Sequence, residues 1–236
     1  MNRVCATAKT GFKKVTHVIF DLDGLLLDSE TLYTQATQNI VEPYGKVYTA
    51  DVKRQIMGLT GVEVAETIVE LLDLPITPEE YIEKTIEQYN AVMPSAKLMP
   101  GAEKFIKHLH KHNVPIAVAT SSSKPSYDLK IQKHEALFSL FHHKVTGGSD
   151  PEVKKGKPSP DIFLICASRF ADKPQPADCL VFEDAPNGVQ AAVSAGMQCV
   201  MVPDPEIISP EFQKQASLVL NSLEEFQPEI FGLPPY

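Results

Sequence analysis

Val15-Thr16-His17-Val18-Ile19-Phe20 runs straight into Asp21-Leu22-Asp23-Gly24. The first six residues are mostly β-branched or aromatic, and the run stops at acids and a glycine, so the segment reads as a strand opening into a loop. Short apolar runs recur at Val114–Ala119, Leu180–Phe182, Cys199–Val202 and Leu218–Leu220. Helical patterns lie between them. Ala102–Lys111 spaces Phe105, Ile106 and Leu109 on one face, with Asn113 as a stop signal, and Gly188–Ala195 is closed by Gly196. Strands apolar on both faces and alternating with helices predict an α/β fold, a parallel sheet covered on each side.

The stretch from Thr31 to Pro94 breaks the alternation. Leu32, Ala36 and Ile40 stand at four-residue spacing, then Ala65, Ile68, Val69 and Leu72 follow a helical period. Ile82, Ile86 and Tyr89 continue it after Pro78, a good first-turn residue. No strand-like run interrupts these sets, and so long a stretch exceeds an ordinary crossover. An inserted helical domain over 31–94 is expected, dividing a core of 14–30 and 95–236, with 1–13 a flexible basic tail.

At 236 residues, with 43% hydrophobic and 22% charged residues, the chain has globular composition, which excludes collagen-like, coiled-coil and wholly disordered classes. No apolar run approaches the ~18 residues of a membrane span. A net charge of −8 without a basic groove argues against a nucleic-acid partner and for a small molecule. Cys5, Cys166, Cys179 and Cys199 form no C-x-x-C pair, so reduced thiols in a cytoplasmic protein are expected. Arg3, Lys9, Lys13 and Lys14 precede the first acid, Asp21, a pattern similar to a mitochondrial transit peptide but also to a loose basic terminus.

Ligands of open α/β sheets bind at the carboxyl ends of the strands. Asp21 and Asp23 stand two apart at such an end, so both carboxylates can face one side while Leu22 returns to the core. A turn would also accommodate two aspartates. Glu183-Asp184 follows the run Leu180–Phe182, where it could equally cap the helix that Pro186 opens. Thr120 ends the Val114–Ala119 run ahead of Ser121, Ser122 and Ser123; hydroxyls and N–H groups before a helix suit a phosphate or simple capping. Lys157, in Gly156-Lys157-Pro158-Ser159-Pro160-Asp161, read singly is a solvated surface lysine. His108 and His112 share a helix face near its end, where the dipole favours them without any metal. His142-His143 has no stronger claim.

Taken in order, Asp21/Asp23, Thr120, Lys157 and Glu183/Asp184 resemble the four motifs of the haloacid dehalogenase superfamily, and the helical insertion resembles its cap domain. The resemblance covers nearly the whole chain from Val15. Within the superfamily, Phe20-Asp21-Leu22-Asp23-Gly24-Leu25-Leu26-Leu27-Asp28-Ser29-Glu30 and Val181-Phe182-Glu183-Asp184-Ala185-Pro186-Asn187-Gly188 look like the pseudouridine-5'-phosphatase branch. So do Leu98–Ala102, the Lys157 loop and the ending Phe231–Tyr236; plant glycerol-phosphate phosphatases are similar too.

The resemblance implies a Rossmann-like core and a Mg²⁺-dependent phosphatase acting through an aspartyl-phosphate. Asp21 is then the nucleophile and Asp23 the acid and base. Thr120, Ser121 and Lys157 bind phosphate, and Mg²⁺ sits among Asp21, Asp23 (through its backbone carbonyl), Glu183 and Asp184. With an ordinary value near ~3.9, Asp21 is expected to be an anion at pH 7. Its repulsion from a phosphate dianion, ~4 kcal/mol per charge pair at ~4 Å and an effective dielectric of ~20, is what Mg²⁺ and Lys157 must offset. Arg54, Gly58, Leu59 and Thr60 in the cap would select the leaving group, although Leu59 and Thr60 stand where relatives often carry basic or polar residues. The implied substrate is a small phosphorylated metabolite, pseudouridine 5'-phosphate foremost. Other readings are a glycerol-phosphate or sugar-phosphate phosphatase, a sugar phosphomutase, or a non-catalytic binding protein; no membrane or nucleic-acid partner is expected, and a monomer is favoured.

Overall fold

The computed structural model describes residues 11–56, 59, 61–203 and 213–236. Contacts divide the chain into two units, one of 1–28 with 97–236 and the other of 29–96.

The first unit holds strands β1 (His17–Phe20), β2 (Leu27–Asp28), β3 (Lys97–Leu98), β4 (Ile116–Thr120), β5 (His143–Thr146), β6 (Cys179–Glu183), β7 (Gln198–Met201) and β8 (Leu218–Val219). Six of them form a sheet in the order β5-β4-β1-β6-β7-β8, and every pair is parallel. β1 lies inside, with Val18 opposite Ile116 on one side and Leu180 on the other. β2 and β3 form a separate antiparallel pair. The strand alternation sends Ile19 and Val181 to one face, among Phe163, Cys166 and Val189. Phe20 and Phe182 turn to the other, where their rings stack at 5.2 Å and meet Phe105. Both faces are dry, the arrangement that all-apolar strands require.

Numbering helices along the whole chain, α1 (Glu30–Val41), α2 (Ala50–Ile56), α3 (Gly61–Leu71) and α4 (Pro78–Val92) belong to the second unit. The first unit carries α5 (Ala102–Lys111), α6 (Lys124–Ile131), α7 (Glu135–Phe138), α8 (Asp161–Ser168) and α9 (Pro186–Ser194). α5 buries Phe105, Ile106 and Leu109, as its spacing predicts, and Asn113 ends that region at a positive φ of 54°. Pro78 opens α4 behind a Thr77 cap: the Glu80 N–H donates to Thr77 Oγ1 at 3.2 Å and the Glu80 carboxylate accepts the Thr77 N–H at 2.9 Å. Ile40, Val41, Val52, Ala65, Ile68, Leu74 and Tyr81 form the core of the helical unit.

The apolar runs gave no sign of β5, whose His143 and Lys144 are polar, or of α2. Phe12 stacks on Phe231 at 4.4 Å and the Lys13 backbone pairs with Gln198, so packing begins before residue 14. Arg3, Cys5 and Lys9 lie outside the described residues. Cys166, Cys179 and Cys199 are buried free thiols. Among the described residues no helix is long and apolar enough to cross a membrane.

Candidate active site

The carboxyl ends of β1, β4 and β6 stand side by side, and the chain turns away from each with a polar residue. Asp21 follows β1 directly, its N–H still donating to the Phe182 carbonyl at 3.0 Å. Leu22 returns to the core, fully buried, so that Asp23 emerges beyond it. The turn closes through Gly24, at φ 77°, whose N–H reaches the Leu27 carbonyl. A Cβ there would also come within 2.2 Å of Asp184 Oδ2, so the Asp184 carboxylate packs against bare backbone.

Lys157 is not solvated. Its ammonium donates to Asp21 Oδ1 at 2.5 Å, to Glu183 Oε1 at 2.6 Å and to the Ala119 carbonyl at 3.1 Å. Glu183, the last residue of β6, is 1% exposed and lies against Gly188 of α9; a Cβ at 188 would fall 1.9 Å from its carboxyl carbon. Helix α9 takes Ala185 as its cap, with no side-chain cap bond, so Glu183 and Asp184 are not there to cap it. Asp21, Glu183 and Asp184 each bring a carboxylate oxygen within 4.8 Å of the others. Asp23 is not a member of this group through its side chain.

Burial pushes the Asp21 carboxyl up to about 7, with Lys157 pulling the other way and Glu183 and Asp23 adding to the rise. Burial works against the charge on Lys157, but Asp21 and Glu183 together carry it above its ordinary value. Lys157 is shared by two of these carboxylates, Asp21 and Glu183, and Asp184 stands beside them. Converging carboxylate oxygens are hard donors that fit a hard divalent cation such as Mg²⁺, whose remaining ligands come from water and phosphate. His108 bonds the Pro234 carbonyl at 2.9 Å and packs on Tyr236, and His143 bonds the Cys166 carbonyl at 2.8 Å; their roles are structural.

Thr120 is 1% exposed, and its hydroxyl donates to Asp23 Oδ2 at 3.3 Å while accepting the Ser122 N–H. Ser121 is exposed. Two groups on Asp23 lie outside the residues expected from the sequence: Ser122, whose hydroxyl donates to Oδ2 at 2.8 Å, and Lys130, whose ammonium donates to Oδ1 at 2.6 Å. Lys130 could have been noticed. With Tyr127 and Ile131 it occupies the buried stripe of α6, where a lysine is out of place unless something pairs with it.

In the helical unit, Leu59 lines a cavity of about 760 Å³ together with Tyr33, Tyr48, Lys53, Tyr81 and Tyr89. Arg54 pairs instead with Asp51 on an exposed helix surface. Gly58 and Thr60 lie outside the described residues.

The family model of haloacid dehalogenase-like hydrolases matches residues 15–196. A Drosophila melanogaster protein named "Probable pseudouridine-5'-phosphatase" is 54% identical over 95% of this chain and 96% of its own. The Arabidopsis thaliana "(DL)-glycerol-3-phosphatase 2" is 45% identical over 98% and 97% respectively. The crystal structure of CbbY from Rhodobacter sphaeroides with phosphate superposes at a TM-score of 0.71, with 26% identity, over 89% of this chain and 96% of that one. A parallel sheet whose strand ends gather these acids, matched in family and over full-length relatives, leaves one assignment: the chain belongs to the haloacid dehalogenase-like hydrolases and is a phosphoric monoester hydrolase.

Proposed function

We propose that the protein is a Mg²⁺-dependent phosphatase of small metabolites that works through an aspartyl-phosphate on Asp21, with pseudouridine 5'-phosphate as its foremost substrate. The observation that carries the mechanism is the Lys157 ammonium fixed between Asp21 Oδ1 and Glu183 Oε1 at the sheet's carboxyl edge. It holds the Asp21 carboxylate in one orientation, so the second oxygen is presented rather than left to rotate. In the first step an Asp21 oxygen bonds to phosphorus and the ester P–O bond breaks, with Asp23 giving its proton to the departing alcohol. In the second, Asp23 takes a proton from the water that cleaves the acyl phosphate. Thr120 and Ser121, with the N–H groups of their turn, offer donors to the phosphoryl oxygens, and Lys157 neutralises the charge that gathers on Asp21. Asp21, Glu183 and Asp184, with the Asp23 carbonyl, would hold the cation, which when bound supplies positive charge against the phosphate dianion.

Pseudouridine 5'-phosphate is favoured by the 54% identity to the Drosophila relative, and a polyol phosphate such as glycerol 3-phosphate stands next through the Arabidopsis one. Selection among leaving groups is assigned to the helical unit, where Leu59 stands in the wall of a cavity.

The test is a phosphate-release panel of nucleotide, sugar and polyol phosphates with Mg²⁺, with borohydride trapping of the acyl phosphate and peptide mapping. Release led by pseudouridine 5'-phosphate, with label on Asp21, is expected. Label on another residue would overturn the mechanism. A different leading ester would overturn only the substrate, and rearranged ester with little free phosphate would make the protein a mutase.

A further inference from the structure

Lys130 takes no part in the proposed mechanism, yet it is 0% exposed. Burying an ammonium at that depth is unfavourable unless a carboxylate and hydrogen bonds offset the loss of water. Packing does not require it, because an unbranched apolar residue would fill the same stripe beside Tyr127 and Ile131. What the ammonium contributes is a closed ring of contacts. It donates to Asp23 Oδ1 at 2.6 Å and to Ser122 Oγ at 2.7 Å, and Ser122 Oγ donates in turn to Asp23 Oδ2 at 2.8 Å. Both oxygens of Asp23 are therefore held, one by the ammonium directly and one through a hydroxyl that the ammonium orients. Lys130 lies in the last turn of α6, where the helix dipole also favours a cation. The two aspartates of the site thus have separate lysines, Lys157 for Asp21 and Lys130 for Asp23.

We propose that Lys130 is a positioning residue for the hydrolysis, which together with Ser122 fixes the plane of the Asp23 carboxyl relative to the leaving oxygen. The assignment rests on Asp23 as the group that protonates that oxygen. It concerns where the carboxyl is held. A displacement on the order of 1 Å at a reacting group can cost about a hundredfold in rate.

A general loss of structure would slow every ester alike, whereas a misplaced acid slows only esters whose leaving group needs the proton. The experiment therefore compares kcat/KM, which reports the step that expels the alcohol, for pseudouridine 5'-phosphate and p-nitrophenyl phosphate. The full chain is used with Mg²⁺. Asp23→Asn should lower the alkyl ester by about 10² to 10⁴ and the aryl ester by much less. Lys130→Met should lower the alkyl ester by about ten- to a hundredfold and the aryl ester by less than about threefold. Lys130→Met/Asp23→Asn, which removes both charges together, should be no slower than Asp23→Asn, because Lys130 acts only through Asp23.

Equal losses on the two esters in Lys130→Met, or a double variant more than tenfold below Asp23→Asn, would overturn the role of Lys130. If Lys130→Met alone does not fold, the double variant decides by the same comparison. An Asp23→Asn variant that lowers both esters equally would overturn Asp23 as the acid, a separate failure that falls on the proposed mechanism.

Discussion

Gly188→Ala sets two physical rules against each other. Gly188 is the third residue of α9, and alanine is a better helix former than glycine, so propensity alone makes the variant more stable. The geometry says the reverse. The new methyl would lie 1.9 Å from the Glu183 carboxyl carbon and 2.0 and 2.1 Å from its oxygens. Carbon atoms rest at about 3.5 Å or more, so the carboxylate must retreat by about 1.5 Å. Lys157 Nζ now stands 2.6 Å from Glu183 Oε1, and a retreat of that size ends the hydrogen bond. Overpacking costs about 1–3 kcal/mol, and loosening a buried ion pair adds to it. Lys157 keeps Asp21, so a net loss of about 2–4 kcal/mol is expected rather than the sum of the full penalties. For a chain of this length that is roughly a 5–12 °C fall in Tm, read by circular dichroism. Mg²⁺ affinity by calorimetry should weaken in parallel, since Glu183 belongs to the acidic group. A Tm equal to or above wild type with unchanged Mg²⁺ affinity would refute the close-approach reasoning.

Three further outcomes are expected. In chelator, Asp21 stays protonated to about 7 in the folded chain against an ordinary 3.8, so its contribution to stability is complete below pH 4 and is lost as pH rises through 7. Urea unfolding from pH 4 to 8 should therefore show a steeper decline in wild type than in Asp21→Asn, and equal slopes would refute it. Chelation should abolish phosphate release and Mg²⁺ restore it, since Asp21, Glu183 and Asp184 bring three carboxylates together where the phosphate dianion must bind; full activity in chelator would sink that charge argument. Thr77→Ala should destabilise the helical unit by about 1 kcal/mol by removing the capping pair with Glu80, with kcat unchanged; an unaltered unfolding midpoint would count against the cap.

The alternation of strands and helices was legible because β1, β4 and β6 are buried on both faces and therefore apolar throughout. β5 was not, since as an edge strand it buries only Val145 and Thr146 and keeps His143 and Lys144 in a polar register. The strand-end acids stood out because a carboxylate directly after a buried strand has no packing role. The environment of Lys157 could not be read locally. It is buried by Asp21 and Glu183, residues 136 and 26 positions away in the chain. The same holds for Lys130 and Ser122, whose partner Asp23 lies about a hundred positions earlier. Neither the shift of Asp21 nor the need for Gly188 has a sequence signature of its own, because both arise from distances between separate strand ends.

The position of β1 inside the sheet has a consequence for how the chain is made. Its partners are β4 and β6, and Val18 must wait for Ile116 and then for Leu180 to leave the ribosome. At roughly 5–20 residues per second, the interval from Phe20 to Glu183 is on the order of 10–30 s. Until Ile116 emerges Val18-Ile19-Phe20 is a nascent apolar segment with no strand on either side, and until Leu180 emerges it has β4 on one side at most. The helical unit is continuous from Ser29 to Ala96, so its own contacts are complete long before then. The segment that carries the first acid of the site is translated before both of its neighbours and takes its place in the sheet only when they have arrived.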